Sequence, residues 1–188
     1  ELGLEDEHEL QSWFIRHFDR WLTERGRRLV GWDEILEGGL AKGATVMSWR
    51  GVDGGIAAAQ AGHDVVITPW SHTYFDHYQS QDREQEPHAI GGFTPLEKVY
   101  EFEPIPEALT GDERDRVLGA QGQLWTEYMR TPDHVEYMAF PRLTALAEVL
   151  WTPASGRDFT QYRSRLQSHL HRWDAVGIRY RDPDKPTS

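Results

Sequence analysis

The chain has 188 residues, enough for one hydrophobic core of ordinary domain size. Hydrophobic residues make up 38% and charged residues 27%, and no stretch approaches the ~20 consecutive apolar residues that a membrane helix needs. A formal net charge of −11 repels phosphate backbones and anionic lipid surfaces, which sets nucleic acid and membranes aside as partners and favours a neutral ligand.

With no cysteine there are no disulfides, thiolate metal ligands or thiol nucleophiles, and the compartment stays unknown. The acidic start, Glu1 to Glu7, has neither the basic opening nor the apolar run of a signal peptide. Eight tryptophans are many for one core, so their positions matter.

Taken in chain order, Leu10, Trp13, Phe14, Phe18, Trp21 and Leu22 recur at three- and four-residue steps, which predicts a helix over Glu9–Arg25 that ends at Gly26. Residues 28–32, ending Val30-Gly31-Trp32, read as a short buried strand, followed by a connection rich in glycine (Gly38, Gly39, Gly43). Thr45–Trp49 is the next strand. Asp53 is placed to cap a brief helix over Ile56–Ala61 that Gly62 ends, and Asp64–Thr68 is a third strand.

Residues 71–116 carry Pro87, Pro95, Pro104 and Pro106 with glycines between them, and read as one long functional loop with a short element near Pro95–Tyr100. A last strand starts at Val117 and runs to Leu124-Trp125, and helices follow over about Val135–Leu150 and Phe159–Ala175. Short apolar strands alternating with helices predict a parallel α/β sheet. No GxGxxG or GxxxxGK[ST] loop follows the first strand, which favours about four βα units of a (β/α)8 barrel over a doubly wound sheet.

Three aromatic-x-carboxylate pairs stand out: Trp32-x-Glu34, Tyr74-x-Asp76 and Trp125-x-Glu127. If they lie on strands, each sets a ring beside a carboxylate on one face. Trp32 and Trp125 sit at predicted strand ends, with Trp49 and Trp70 at the same level after the two strands between, and the C-terminal strand ends carry the active site in parallel barrels. Aromatic faces pack on the C–H face of a sugar ring while carboxylates accept from its hydroxyls, so the pattern outlines a carbohydrate pocket. A single such tryptophan is as often core as ligand, and it is the threefold repeat that points to binding. Trp13, Trp21, Trp151 and Trp173 lie on predicted apolar helix faces and are assigned to packing. Asp33 and Glu34, as neighbours on a strand, would face opposite ways, so at most one reaches the pocket.

No HExxH or GxSxG motif occurs, and no metal site or cofactor is expected; His72 and His77 read as solvated loop groups and Gly111–Asp115 as a solvated turn. The segments Gly31–Leu36, Ser48–Gly51, Tyr74–Asp76, Thr94–Tyr100 and Gln123–Glu127 resemble, in order and approximate spacing, glycoside hydrolase family 20. Arg142-Leu143, Ala147-Glu148 and Trp151 look like that family's helix after the last barrel strand.

The resemblance implies the C-terminal half of a β-N-acetylhexosaminidase barrel spanning residues 1–188, acting on terminal β-linked N-acetylglucosamine or N-acetylgalactosamine by substrate-assisted, retaining hydrolysis. It gives Tyr74 a hydrogen bond to the acetamido oxygen and makes Trp32, Trp49 and Trp125 walls. Asp76 and Glu127 hold ring hydroxyls, Glu127 those at positions 4 and 6. In place of a further family tryptophan stands the segment Gly91-Gly92-Phe93.

The family's acidic pair lies in a His-x-Gly-Gly-Asp-Glu motif, whereas the glycine pairs here precede Leu40, Ile56 and Phe93. The resemblance therefore makes the first helix the fourth of the barrel and the four strands its fifth to eighth, with no turnover expected from the chain alone. The partners it points to are hexosaminide sugars, an N-terminal half-barrel, or a second copy of the chain. The alternatives are a non-catalytic carbohydrate-binding module and a self-assembling half-barrel.

Overall fold

The computed structural model describes residues 3–187; Glu1 and Leu2 of the acidic start lie outside them. The chain forms two compact units, Glu1–Pro69 with Ile105–Ala120, and Trp70–Pro104 with Gln121–Ser188.

The first unit begins with helix α1 (Glu7–Thr23), capped by the Asp6 side chain accepting from the Glu9 N–H. Gly26, at φ +65°, closes its C-terminal turn, as its position after the periodic run predicts. Strands β1 (Val30–Trp32), β2 (Thr45–Ser48) and β3 (Val65–Ile67) follow, with helix α2 (Asp53–Gln60) between the last two. All four strands of this sheet are parallel. The fourth, β6 (Val117–Ala120), pairs with β3, and the order is β1-β2-β3-β6.

Its core is Val46, Val65 and Ile67 on the two central strands, against Ile35, Ala58 and Ala59. The missing side chain of Gly55 is what lets α2 lie close: a Cβ there would fall 2.4 Å from Ile67 Cδ1.

Several local expectations change. The first strand is an exposed sheet edge, with Val30 open to solvent, because nothing pairs with its far side among the described residues. Val52 is the N-cap of α2, and Asp53 is its first residue. On α1 the buried positions are Ser12 and Asp19, so its aromatic stripe of Trp13, Phe14, Phe18 and Trp21 faces outward. Trp13 and Trp21 are therefore not core residues. Trp151 is 88% exposed, and only Trp173 of the four helical tryptophans is packed.

In the second unit, residues 70–104 are more structured than one loop. They hold α3 (Trp70–Thr73), β4 (His77–Tyr78), β5 (Gly91–Phe93) and α4 (Leu96–Tyr100), and β4 pairs in parallel with β5. These elements are too short for a periodic signal to show. The expected helix over 135–150 is two helices, α5 (Pro132–Ala139) and α6 (Arg142–Trp151). Pro141 forces the break: its ring disfavours a helical residue before it, and Phe140 is extended.

Helix α7 (Phe159–Val176) ends at Gly177, φ +80°. Leu166 and Leu170 from α7, Leu146 and Val149 from α6, and Val99 from α4 fill the core. Tyr100 completes it by donating to Glu148 Oε1 at 2.9 Å.

Candidate functional site

Each unit places part of the predicted constellation. In the first, Trp32 closes β1 and Trp49 directly follows β2, at the C-terminal ends of parallel strands as expected. Asp33 and Glu34, however, are in a 3-10 turn over Asp33–Leu36, so strand alternation does not govern them. Both are used. Buried Asp33 accepts from the backbone N–H of Trp49 (3.0 Å) and of Arg50 (3.2 Å), and pairs with Arg50 Nε at 2.5 Å. Glu34 accepts from the Trp49 indole Nε1 at 3.0 Å, and Arg50 also pairs with Glu37 at 2.8 Å. The carboxylate neighbours raise the Arg50 pKa, Glu37 most strongly and then Asp33. One carboxylate thus fixes the loop and the other fixes the ring of Trp49.

In the second unit, Tyr74-x-Asp76 is a turn between α3 and β4, and Trp125-x-Glu127 is an irregular stretch past the end of β6. Neither pair lies within a strand: β6 stops at Ala120 instead of running to Trp125, and β4 starts only at His77. A different device joins them. Tyr74 bridges Gln123 in parallel, the Phe75 N–H donates to the Gln123 carbonyl at 2.7 Å, and the Gln123 N–H donates to the Thr73 carbonyl at 2.8 Å. A Cβ on Gly122 would lie 2.6 Å from the Phe75 ring, so glycine is what lets the two backbones approach. This connection brings Asp76 within electrostatic reach of Glu127.

Asp76 is 4% exposed, and its Oδ1 has no hydrogen-bond partner among the described residues. Burial pushes its pKa up to about 6 against a Coulombic pull from Arg142, and Glu127 adds to the rise. An unpartnered buried carboxyl oxygen costs stability, and a hydroxyl donor would relieve it. Trp125, at 41% exposed, and Glu127 lie at the surface of the same unit.

His77 is buried rather than solvated. Its Nδ1 lies 3.0 Å from Thr94 Oγ1, and its ring centroid is 5.9 Å from those of Tyr74 and Trp70. Burial, with Arg142 and Lys98 nearby, pushes its pKa down to about 4, so the imidazole is neutral at pH 7. His72 also has partners, Ser71 Oγ at 2.8 Å and the Phe102 ring. Gly92, at φ +63°, packs against His77, where a Cβ would meet the ring at 2.4 Å.

The residue that sequence reasoning left without a role is Arg142. It is fully buried at the start of α6, and donates to four carbonyls: Met138 (3.2 Å from Nε and 2.6 Å from Nη2), His77 (3.1 Å), Thr94 (2.8 Å) and Phe75 (2.5 Å). Burial lowers its pKa, opposed by the Glu86 and Asp76 carboxylates. In the sequence it shows only as the arginine after Phe-Pro and as part of the family-like segment that begins Arg142-Leu143. Among the described residues no group of three or more His, Asp or Glu side chains is placed to hold a metal ion, and no helix is long and apolar enough to cross a membrane.

Residues 1–154 match Glycosyl hydrolase family 20, catalytic domain. A beta-hexosaminidase of Porphyromonas gingivalis is 54% identical over 182 residues, covering 96% of this chain and 23% of that protein. One of Vibrio furnissii is 38% identical over 149 residues, covering 78% of this chain and 24% of that protein.

Among solved structures, an exo beta-N-acetylglucosaminidase of Vibrio harveyi in complex with N-acetylglucosamine superposes with a TM-score of 0.88 at 39% identity, over 98% of this chain and 29% of that one. The beta-N-acetylhexosaminidase of Streptomyces coelicolor gives 0.80 at 31% identity, over 94% of this chain and 37% of that one. The chain thus spans about a quarter of the length of the curated relatives it matches. Its four parallel strands are part of the (β/α)8 barrel of those structures, and the chain belongs to glycoside hydrolase family 20.

Proposed function

We propose that these residues serve the sugar-recognising part of an exo-acting β-N-acetylhexosaminidase, which removes terminal β-linked N-acetylglucosamine or N-acetylgalactosamine with retention. The observation that carries this reading is Asp76: a buried carboxyl with an oxygen lacking any donor among the described residues, two positions from Tyr74 and electrostatically coupled to Glu127. A sugar hydroxyl supplies the donor that this oxygen lacks. Glu127 takes the hydroxyls at positions 4 and 6, and Trp125 packs on the ring. Tyr74 donates to the acetamido oxygen, and Trp32 and Trp49 act as walls. Trp49 is suited to that task because Glu34 holds its indole.

In the substrate-assisted route the acetamido oxygen attacks the anomeric carbon as the glycosidic oxygen leaves with a proton from a general acid. The resulting oxazoline is then opened by water at the same carbon, so configuration is retained. Tyr74, by donating to the acetamido oxygen, fixes its direction of attack and excludes other rotamers. The general acid and its aspartate partner come from outside these 188 residues, since no His-x-Gly-Gly-Asp-Glu segment occurs in them.

The test is release of p-nitrophenol from its N-acetyl-β-D-glucosaminide, by the chain alone and by the chain combined with an N-terminal half-barrel of the family that carries the acidic pair. No release alone, release on combination, and loss in Tyr74→Phe are expected. Release by the chain alone that survives Tyr74→Phe would overturn both the missing acid and the role of Tyr74.

A further inference from the structure

Arg142 is buried without a salt bridge among the described residues, in a place where its charge does not help the helix it starts. A cation at a helix N-terminus opposes the macrodipole, and α6 would gain nothing from it. Its fork is instead fully spent on four backbone carbonyls from three segments. Met138 O belongs to the last turn of α5, which would otherwise leave that acceptor unpaired. Phe75 O and His77 O are the carbonyls on either side of Asp76. Thr94 O follows β5, and the hydroxyl of the same threonine holds His77 Nδ1. The guanidinium carbon also lies 5.0 Å from the centroid of the Phe75 ring.

We infer that Arg142 is a positioning residue for sugar recognition: by gripping the carbonyls of Phe75 and His77 it sets the turn that presents Tyr74 and Asp76. The inference rests on the sugar-binding reading of those two residues. The planar fork is what the task requires, because two nitrogens must reach three differently directed carbonyls while the third turns back to α5, and the compact ammonium of a lysine cannot span them. The grip also keeps a positive charge near Asp76, which offsets part of the cost of ionising it.

The experiment compares the wild-type chain with Arg142→Lys, Asp76→Asn and the double variant, each shown by circular dichroism to be folded. Amide exchange is read by NMR without ligand, and N-acetylglucosamine is then titrated in. In Arg142→Lys, exchange at the amides of Phe75, Thr94 and Gln123 is expected to rise at least tenfold while β2 and β3 are unchanged. Sugar affinity is expected to fall about tenfold, and in the Asp76→Asn background the same change is expected to cost less than threefold, since two groups acting through one contact are not additive.

Unchanged exchange at those amides, or equal losses of affinity in both backgrounds, overturns the inference. Absence of saturable binding by the wild-type chain would sink the sugar reading separately, because amide exchange is measured without ligand and judges the clamp by itself. Should Arg142→Lys not fold, the wild-type guanidinium decides: separate, slowly exchanging Nη proton signals support the clamp, and one averaged signal overturns it.

Discussion

Replacing Asp76 by asparagine is expected to stabilise the protein at pH 8 and to leave it unchanged at pH 4. The side chain is 4% exposed, its Oδ1 lacks a partner among the described residues, and its pKa is pushed from an ordinary 3.8 to about 6. A carboxyl held above its unfolded value stabilises the fold while protonated; that contribution is whole below the unfolded value and is lost as pH rises through the folded one. The loss therefore falls between 3.8 and about 6. The full difference is worth about 3 kcal/mol, which screening by water reduces to roughly 2 kcal/mol.

Asparagine resembles the protonated form in shape and charge, so it escapes this cost. At pH 8 the variant is expected to gain roughly 2 kcal/mol, or roughly 4–8 °C in Tm for a chain of this size. At pH 4 the two proteins are expected to unfold together. Denaturant melts across pH 3.5–8, read as the difference between variant and wild type, check this. A variant less stable than wild type at pH 8, or a difference that is the same at both ends of the range, refutes the assignment of Asp76 as a costly buried carboxyl. The same substitution is expected to weaken sugar binding, so stability and function trade against each other at one atom.

Glu127→Gln removes a charge that raises the Asp76 pKa, and the Asp76 carboxyl carbon is expected to titrate below about 6 when followed by carbon-13 NMR. Asp33→Asn breaks the pair between buried Asp33 and half-exposed Arg50 and weakens two backbone bonds; a loss of about 1–3 kcal/mol is expected in denaturant melts of the first unit. Leu166→Ala empties a fully packed site in the second unit and is expected to cost about 2–5 kcal/mol, read the same way.

The sheet was legible because its strands are short apolar runs ended by glycine or tryptophan, and burial of Val46, Val65 and Ile67 follows from those runs. The site was legible in its residue types more than in its geometry. Tyr74, Asp76, Trp125 and Glu127 fall within one unit, yet the spacing of two that drew attention to them is not a strand period. Their neighbourhood comes from the Tyr74–Gln123 bridge, whose partners are 49 positions apart and leave no local pattern. The break at Pro141 was written plainly in the sequence, and the apolar periodicity on either side concealed it. The outward aromatic face of α1 reversed expectation because amphipathicity shows which face is apolar and not what covers it. Arg142 was hidden for a related reason: arginine is rarely fully buried, and the carbonyls that justify it come from distant turns.

Whether these residues recognise an N-acetylated sugar is decided by titrating the isotope-labelled chain with N-acetylglucosamine and following its amides by NMR. Saturable shifts centred on Tyr74, Asp76 and Glu127, abolished in Trp125→Ala, are expected. Shifts that never saturate, or that persist in Trp125→Ala, would contradict that recognition.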